Sequence, residues 1–280
     1  MRTTLGSTVI AVMSLALYAP AAMFAQAPPG AGQAAKAAAP IDLTGYWVAI
    51  VTEDWRYRML TAPKGDYYSI PLTPAARKVA DTWDAAKDIA EGKQCMAYGA
   101  PGIMRQPTRV HVTWDNDNTL KFEMDAGKQT RLLHFDAPPA ASEGTLQGSS
   151  FALWQSPQIT RFYTSKISAQ DPNTPGFSGQ TPQGAPPPDT RKLGGTLKVV
   201  TTHMRPGYLR NNGVPFSANA VLTEYYDIHK DGGQEYLVTT SIVEDPQYLY
   251  VPWVTSNQFR READGSKWDP QPCELILPSK

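Results

Sequence analysis

From Gly194 to Asp245 apolar and polar residues alternate with a period of two, interrupted by a stretch rich in Arg, Asn, Gly and Pro and again by Asp231, Gly232 and Gly233. The pattern predicts a strand ending at His203, a polar loop, and two long strands joined as a hairpin. If Asp231-Gly232-Gly233 is a three-residue turn, Leu222, Glu224, Tyr226 and Ile228 share a face with Tyr236, Val238, Thr240 and Ile242. Glu224 is the one carboxylate on that face, opposite Thr240, and its ionised form would lose much hydration there.

The same period runs from Thr108 to Phe135 as a three-strand meander with turns at Asp115 to Asn118 and Asp125 to Lys128. Tight turns place His111 opposite Phe122 and then Arg131, so Arg109, His111 and Arg131 fall on the side that carries Leu120, Met124, Leu133 and Phe135. A slip of one residue would exchange the two sides. Asp42 to Val51 and Tyr248 to Phe259 read as further strands. One helix is predicted from Pro74 to Glu91, with Thr73 as cap, Gly92 as exit, and Val79, Trp83, Ala86 and Ala90 as its apolar stripe. No internal repeat emerges. The expected fold is all-β, a single antiparallel barrel of about eight to ten strands with that helix packed outside.

Residues 1–25 combine Arg2, a short apolar run and small residues up to Ala25, the layout of a signal peptide and too short for a membrane span. Residues 26–40, rich in Ala, Gly and Pro, read as a disordered leader, leaving 41–280 for the barrel domain. Within it, 171–193 is a Pro/Gly-rich insertion, either a floppy excursion or a lid. The expected location is therefore exported, periplasmic or secreted, where Cys95 and Cys273 would form a disulfide rather than stay free. With 26 basic and 26 acidic residues and no basic stripe, neither nucleic acid nor stable membrane insertion is expected, and the oligomeric state stays open.

Asp42, Leu43, Gly45, Trp47 and Ile50 resemble the first-strand Gly-x-Trp element of lipocalins and other calycins, although Val48 departs from it. That resemblance implies a calycin-like barrel with Trp47 packed at its base. Most of the remaining chain resembles a family of uncharacterised exported bacterial proteins. The features that carry this are Leu72 to Pro74, Cys95 with Gly99 and Pro101, the QGSS stretch with Trp154, GGTLKVVTT, Asn212-Gly213 and Glu244-Asp245-Pro246.

Glycine-rich phosphate loops, nucleophile-elbow serines and zinc-binding helices are missing from the sequence, and the four histidines are scattered, so no cofactor or metal is implied. What remains is an apolar barrel lumen with a few polar groups, the composition of a small-molecule site. The first expectation is a small, largely apolar or aromatic ligand bound in the lumen by Arg131, Arg109, Phe122, Tyr226 and Tyr236, with Arg205 and Tyr208 at the mouth. The alternative is a cofactor-free lyase, hydratase or isomerase using Glu224, with His111 and His203, as acid or base. A third reading is a structural envelope protein with no open cavity, in which Glu224 and an arginine merely satisfy each other.

Overall fold

The computed structural model describes residues 34–138, 143–155, 195–275 and 277. The expected signal peptide, the first part of the leader and the 171–193 insertion lie outside these residues. Eleven strands are described: β1 (Gly45–Ile50), β2 (Arg109–Asn116), β3 (Thr119–Met124), β4 (Gln129–His134), β5 (Ser149–Gln155), β6 (Thr196–Thr202), β7 (Gly207–Arg210), β8 (Val214–Phe216), β9 (Val221–Asp231), β10 (Gln234–Glu244) and β11 (Trp253–Glu262). Nine of them close a barrel in the order β1-β11-β10-β9-β6-β5-β4-β3-β2, and β7 pairs with β8 separately. The all-β barrel is as the alternation predicts, with one departure. β4 and β5 run parallel through Leu133 with Ser150 and His134 with Phe151, so the sheet is not purely antiparallel.

Two registers differ from expectation by one residue. The β9–β10 turn contains two residues, Gly232 (φ 56°) and Gly233 (φ 80°), both in the left-handed region that a tight hairpin needs. Asp231 consequently faces Gln234, and Tyr226 faces Thr239. The inward set of β10 is Leu237, Thr239, Ser241 and Val243, and Tyr236 turns outward. An irregularity between Trp114 and Asn116 shifts β2, so Val112, not His111, faces Phe122. Val110 and Val112 are buried, while Arg109 and His111 lie on the outer face.

The expected single helix is also corrected. It is broken into α2 (Pro74–Ala80) and α3 (Ala85–Ala90), two of four short helices with α1 (Trp55–Met59) and α4 (Ala100–Ile103). Thr73 caps α2 as predicted, but the Asp84 side chain accepts hydrogen bonds from the N–H groups of Ala86 and Lys87 and so starts a second helix. Ala76, Ala80 and Trp83 point inward, whereas Val79, Ala86 and Ala90 are exposed.

One core fills the lumen with Trp47, Val110, Val112, Leu120, Phe122, Met124, Leu133, Tyr226, Leu237 and Phe259. Each such large side chain contributes about 1.5–3 kcal/mol by leaving water. At one end the Arg261 guanidinium lies 4.1 Å from the Trp47 ring centre. It donates to the carbonyls of Thr44 (2.5 Å) and Asp42 (3.1 Å), fixing the chain that enters β1. Residues 34–40 of the expected leader fold against the same end, where Trp154 Nε1 donates to Ala35 O (2.9 Å). At the other end Tyr98, Ile103 and Met104 join the lumenal core. Beyond them a second core joins Tyr67, Ile70, Ala76, Phe216, Leu222 and Trp253, and α2 lies against β8 there. Cys95 and Cys273 sit at disulfide distance, with Cα atoms 5.2 Å apart, and tie the C-terminal tail to this end.

Candidate functional site

Of the residues expected in the lumen, four stand together: Arg131 on β4, Glu224 and Tyr226 on β9, and Phe122 on β3. Strands β5 and β6 separate β4 from β9, so Arg131 spans the interior to reach its partner. Its Nη1 and Nη2 donate to Glu224 Oε1 (3.1 Å) and Oε2 (2.5 Å) as a fork. Nη2 also donates to Thr201 Oγ1 (3.3 Å), which is paired with Ser150 Oγ (2.8 Å). Nη1 reaches Tyr226 Oη at 3.3 Å, and the Tyr226 ring lies 5.2 Å from that of Phe122. Both Arg131 and Glu224 are buried. Burial alone would lower the Arg131 guanidinium pKa, but the Glu224 carboxylate outweighs it and holds the group above its ordinary value. Burial drives the Tyr226 phenol well up, and Glu224 adds to the effect. Both Glu224 oxygens are occupied by one guanidinium, the geometry of a buried ion pair, although the Arg131 Nε is buried without a partner among the described residues.

The other expected site residues are dispersed. His111 is on the outer wall, stacked on Tyr46 at 4.0 Å, with its Nδ1 3.5 Å from Glu123. Arg109 is also outside and pairs with Glu262 (2.9 Å). Both moved with the β2 register. Tyr236 left the lumen because the hairpin turn is one residue shorter. His203 is exposed, with φ 54° and its Nδ1 2.9 Å from the Thr202 hydroxyl. Arg205 is exposed as well. Tyr208 belongs to the helical end, where its hydroxyl donates to Asp88 Oδ2 (3.0 Å). Among the described residues, no three His, Cys, Asp or Glu side chains converge to hold a metal.

A second candidate lies outside the barrel. A cleft of about 800 Å³ runs between residues 65–71 and 251–254. Tyr67, Ile70 and Trp253 are buried along it, while Tyr68 (75 % exposed), Val251 (58 %) and Val254 (58 %) present apolar surface to solvent. Its two walls are joined by Tyr250 N–H donating to Pro71 O (2.9 Å) and Thr73 N–H donating to Tyr248 O (3.0 Å). Ser69 holds a φ of 66°, unfavourable for a residue with a Cβ. Arg210 stabilises that conformation from behind by donating to Tyr68 O (2.8 Å) and Ser69 Oγ (3.0 Å). Sequence reasoning missed this site because its halves are about 180 residues apart and share no periodicity. The visible hint was local, the adjacent apolar residues Tyr250 and Val251 placed before Pro252-Trp253. No family model, curated protein or solved structure matches the chain.

Proposed function

We propose that this protein is an exported binder of a small, largely apolar or aromatic molecule, and that the ligand's seat is the barrel-end cleft. The observation that carries this reading is a cleft of about 800 Å³ with Tyr68, Val251 and Val254 exposed along it. Small-molecule sites span about 300–1,000 Å³ and are lined mainly by apolar and aromatic side chains. The strained Ser69 backbone, held by Arg210, supplies a preformed wall. The lumen serves as the frame, closed by Trp47 beneath Arg261 at one end and by Tyr98, Ile103 and Met104 at the other. A calycin-like origin for that frame rests on Gly45, Trp47 and the seat of Trp47 at the base. Export rests on the 1–25 pattern and is consistent with the Cys95–Cys273 pair.

A second reading keeps the ligand in the lumen. It is favoured by Thr239 and Asn257, paired neighbours on β10 and β11, whose buried hydroxyl and amide atoms lack hydrogen-bond partners among the described residues. The test is native mass spectrometry of the purified mature protein, followed by a small-molecule screen read by intrinsic fluorescence. Binding of aromatic or apolar compounds that perturbs tryptophan emission is the expected result. A folded protein that binds nothing across a broad library would overturn the binding reading in either seat.

A further inference from the structure

We propose that Arg58, Arg105 and Arg210 form a site for one chloride-sized anion beside the helical end of the barrel. The three come from α1, from the turn after α4, and from β7. All are at most 5 % exposed. They line one small pocket together with Tyr57, Gln106 and Asn211. Its free volume of about 10 Å³ suits a single small ion and is too small for a carboxylate or a tetrahedral oxyanion.

Charge is unbalanced at this place. Glu53 pairs with Arg58 Nη1, and Asp54 with Arg105 Nη2 (2.9 Å) and, more distantly, with Arg210 Nη2 (3.7 Å). Asp66 is engaged by Arg56 (2.7 Å) and by the Tyr57 hydroxyl (3.0 Å). Three buried guanidiniums therefore face two carboxylates, an excess of one positive charge, and both carboxylates are about one-third exposed at the rim. Hydrogen bonding is incomplete as well. Arg58 Nη2 and Arg210 Nε are buried without partners among the described residues. A buried cationic N–H left unpaired is costly, and an anion accepting from both offsets that cost along with the excess charge. Burial lowers the pKa of all three, that of Arg210 to about 10 with Arg105 contributing, while the neighbouring carboxylates Glu53 and Asp54 oppose the shift.

The binding geometry depends on aromatic support. Arg210 lies 4.0 Å over the Tyr57 ring, and Arg105 lies 5.0 Å over that of Trp253. Stacking fixes the guanidinium planes; Arg210 already donates to Tyr68 O and Ser69 Oγ, which leaves its Nε, with Arg58 Nη2, as the unpartnered donors. Asp54, the residue that joins Arg105 and Arg210, has a φ of 51° and is held in that left-handed conformation at the start of α1.

The experiment has two arms on the intact protein. Crystals soaked in sodium bromide and measured at the bromine edge should show an anomalous peak in contact with Arg58 and Arg210. In solution, sodium chloride should raise the melting temperature saturably, whereas acetate or sulfate at equal ionic strength should not. Asn211→Asp, which keeps the oxygen that accepts from Gln106 Nε2 (3.2 Å), supplies the missing charge internally. It should melt higher than the parent and lose most of the chloride increment. A pocket free of bromide, with the same response to all three salts in parent and variant, would overturn the proposal.

Discussion

Arg131 and Glu224 meet as a two-bond fork in the barrel interior, although two strands separate them along the wall and 93 positions separate them in sequence. Removing one partner leaves the other charge buried and unpaired, so Arg131→Met or Glu224→Gln should each cost about 3–5 kcal/mol in urea unfolding. Arg131→Met combined with Glu224→Leu should recover much of that loss, because the pair is replaced by apolar volume. Near-additive losses in the double-mutant cycle completed by Glu224→Leu alone would contradict a coupled pair.

The bond between Cys95 and Cys273 closes a sequence separation of 178 residues. Cys95→Ser should lower stability by about 2–5 kcal/mol, with the exact share depending on how compact the unfolded chain is. Tyr98 reinforces the same junction, since its hydroxyl donates to Glu274 O (2.9 Å) and accepts from Glu274 N–H (3.2 Å). Two alkylatable thiols in the unreduced, denatured protein would show that the bond is not made.

Burial and the Asp81 bond push the Tyr67 phenol up to about 12, and burial likewise raises Tyr98, Tyr208 and Tyr226. Each folded value lies above the unfolded one of about 10. The folded state therefore keeps these protons longer. The stability they contribute is complete below about pH 10 and is lost as pH rises through the folded values. Phenolate absorbance should thus show a late step that coincides with loss of near-ultraviolet circular dichroism. Complete titration around the ordinary phenol value with the fold intact would contradict the burial.

Much of the barrel was legible because alternation on β9 and β3 survives a register error. Leu222, Glu224, Tyr226, Phe122 and Met124 stay inward under either turn. Partner strands were not protected in this way. One residue fewer in the Gly232-Gly233 turn moved Tyr236 out, and the irregularity after Trp114 moved Arg109 and His111 out. The helix read as continuous because Trp83 fits its period, whereas Trp83 in fact packs against Gly213. A Cβ at Gly213 would stand 2.2 Å from the Trp83 Cγ. The cleft and the arginine pocket were illegible for a different reason. They are assembled from short segments far apart in sequence, where no pattern constrains which side chains meet.

The seat of the ligand is tested most directly by the dissociation constant of a screened aromatic compound, measured for the parent, Val254→Asp and Asn257→Leu. Val254 is 58 % exposed on the cleft, so a carboxylate there should disturb the ligand and spare the fold. Asn257 is fully buried in the lumen, and leucine removes its unpartnered amide. The account predicts at least tenfold weaker binding for Val254→Asp, about 1.4 kcal/mol, and parent-like binding for Asn257→Leu. Parent-like binding by Val254→Asp together with lost binding by Asn257→Leu would place the ligand in the lumen and contradict it.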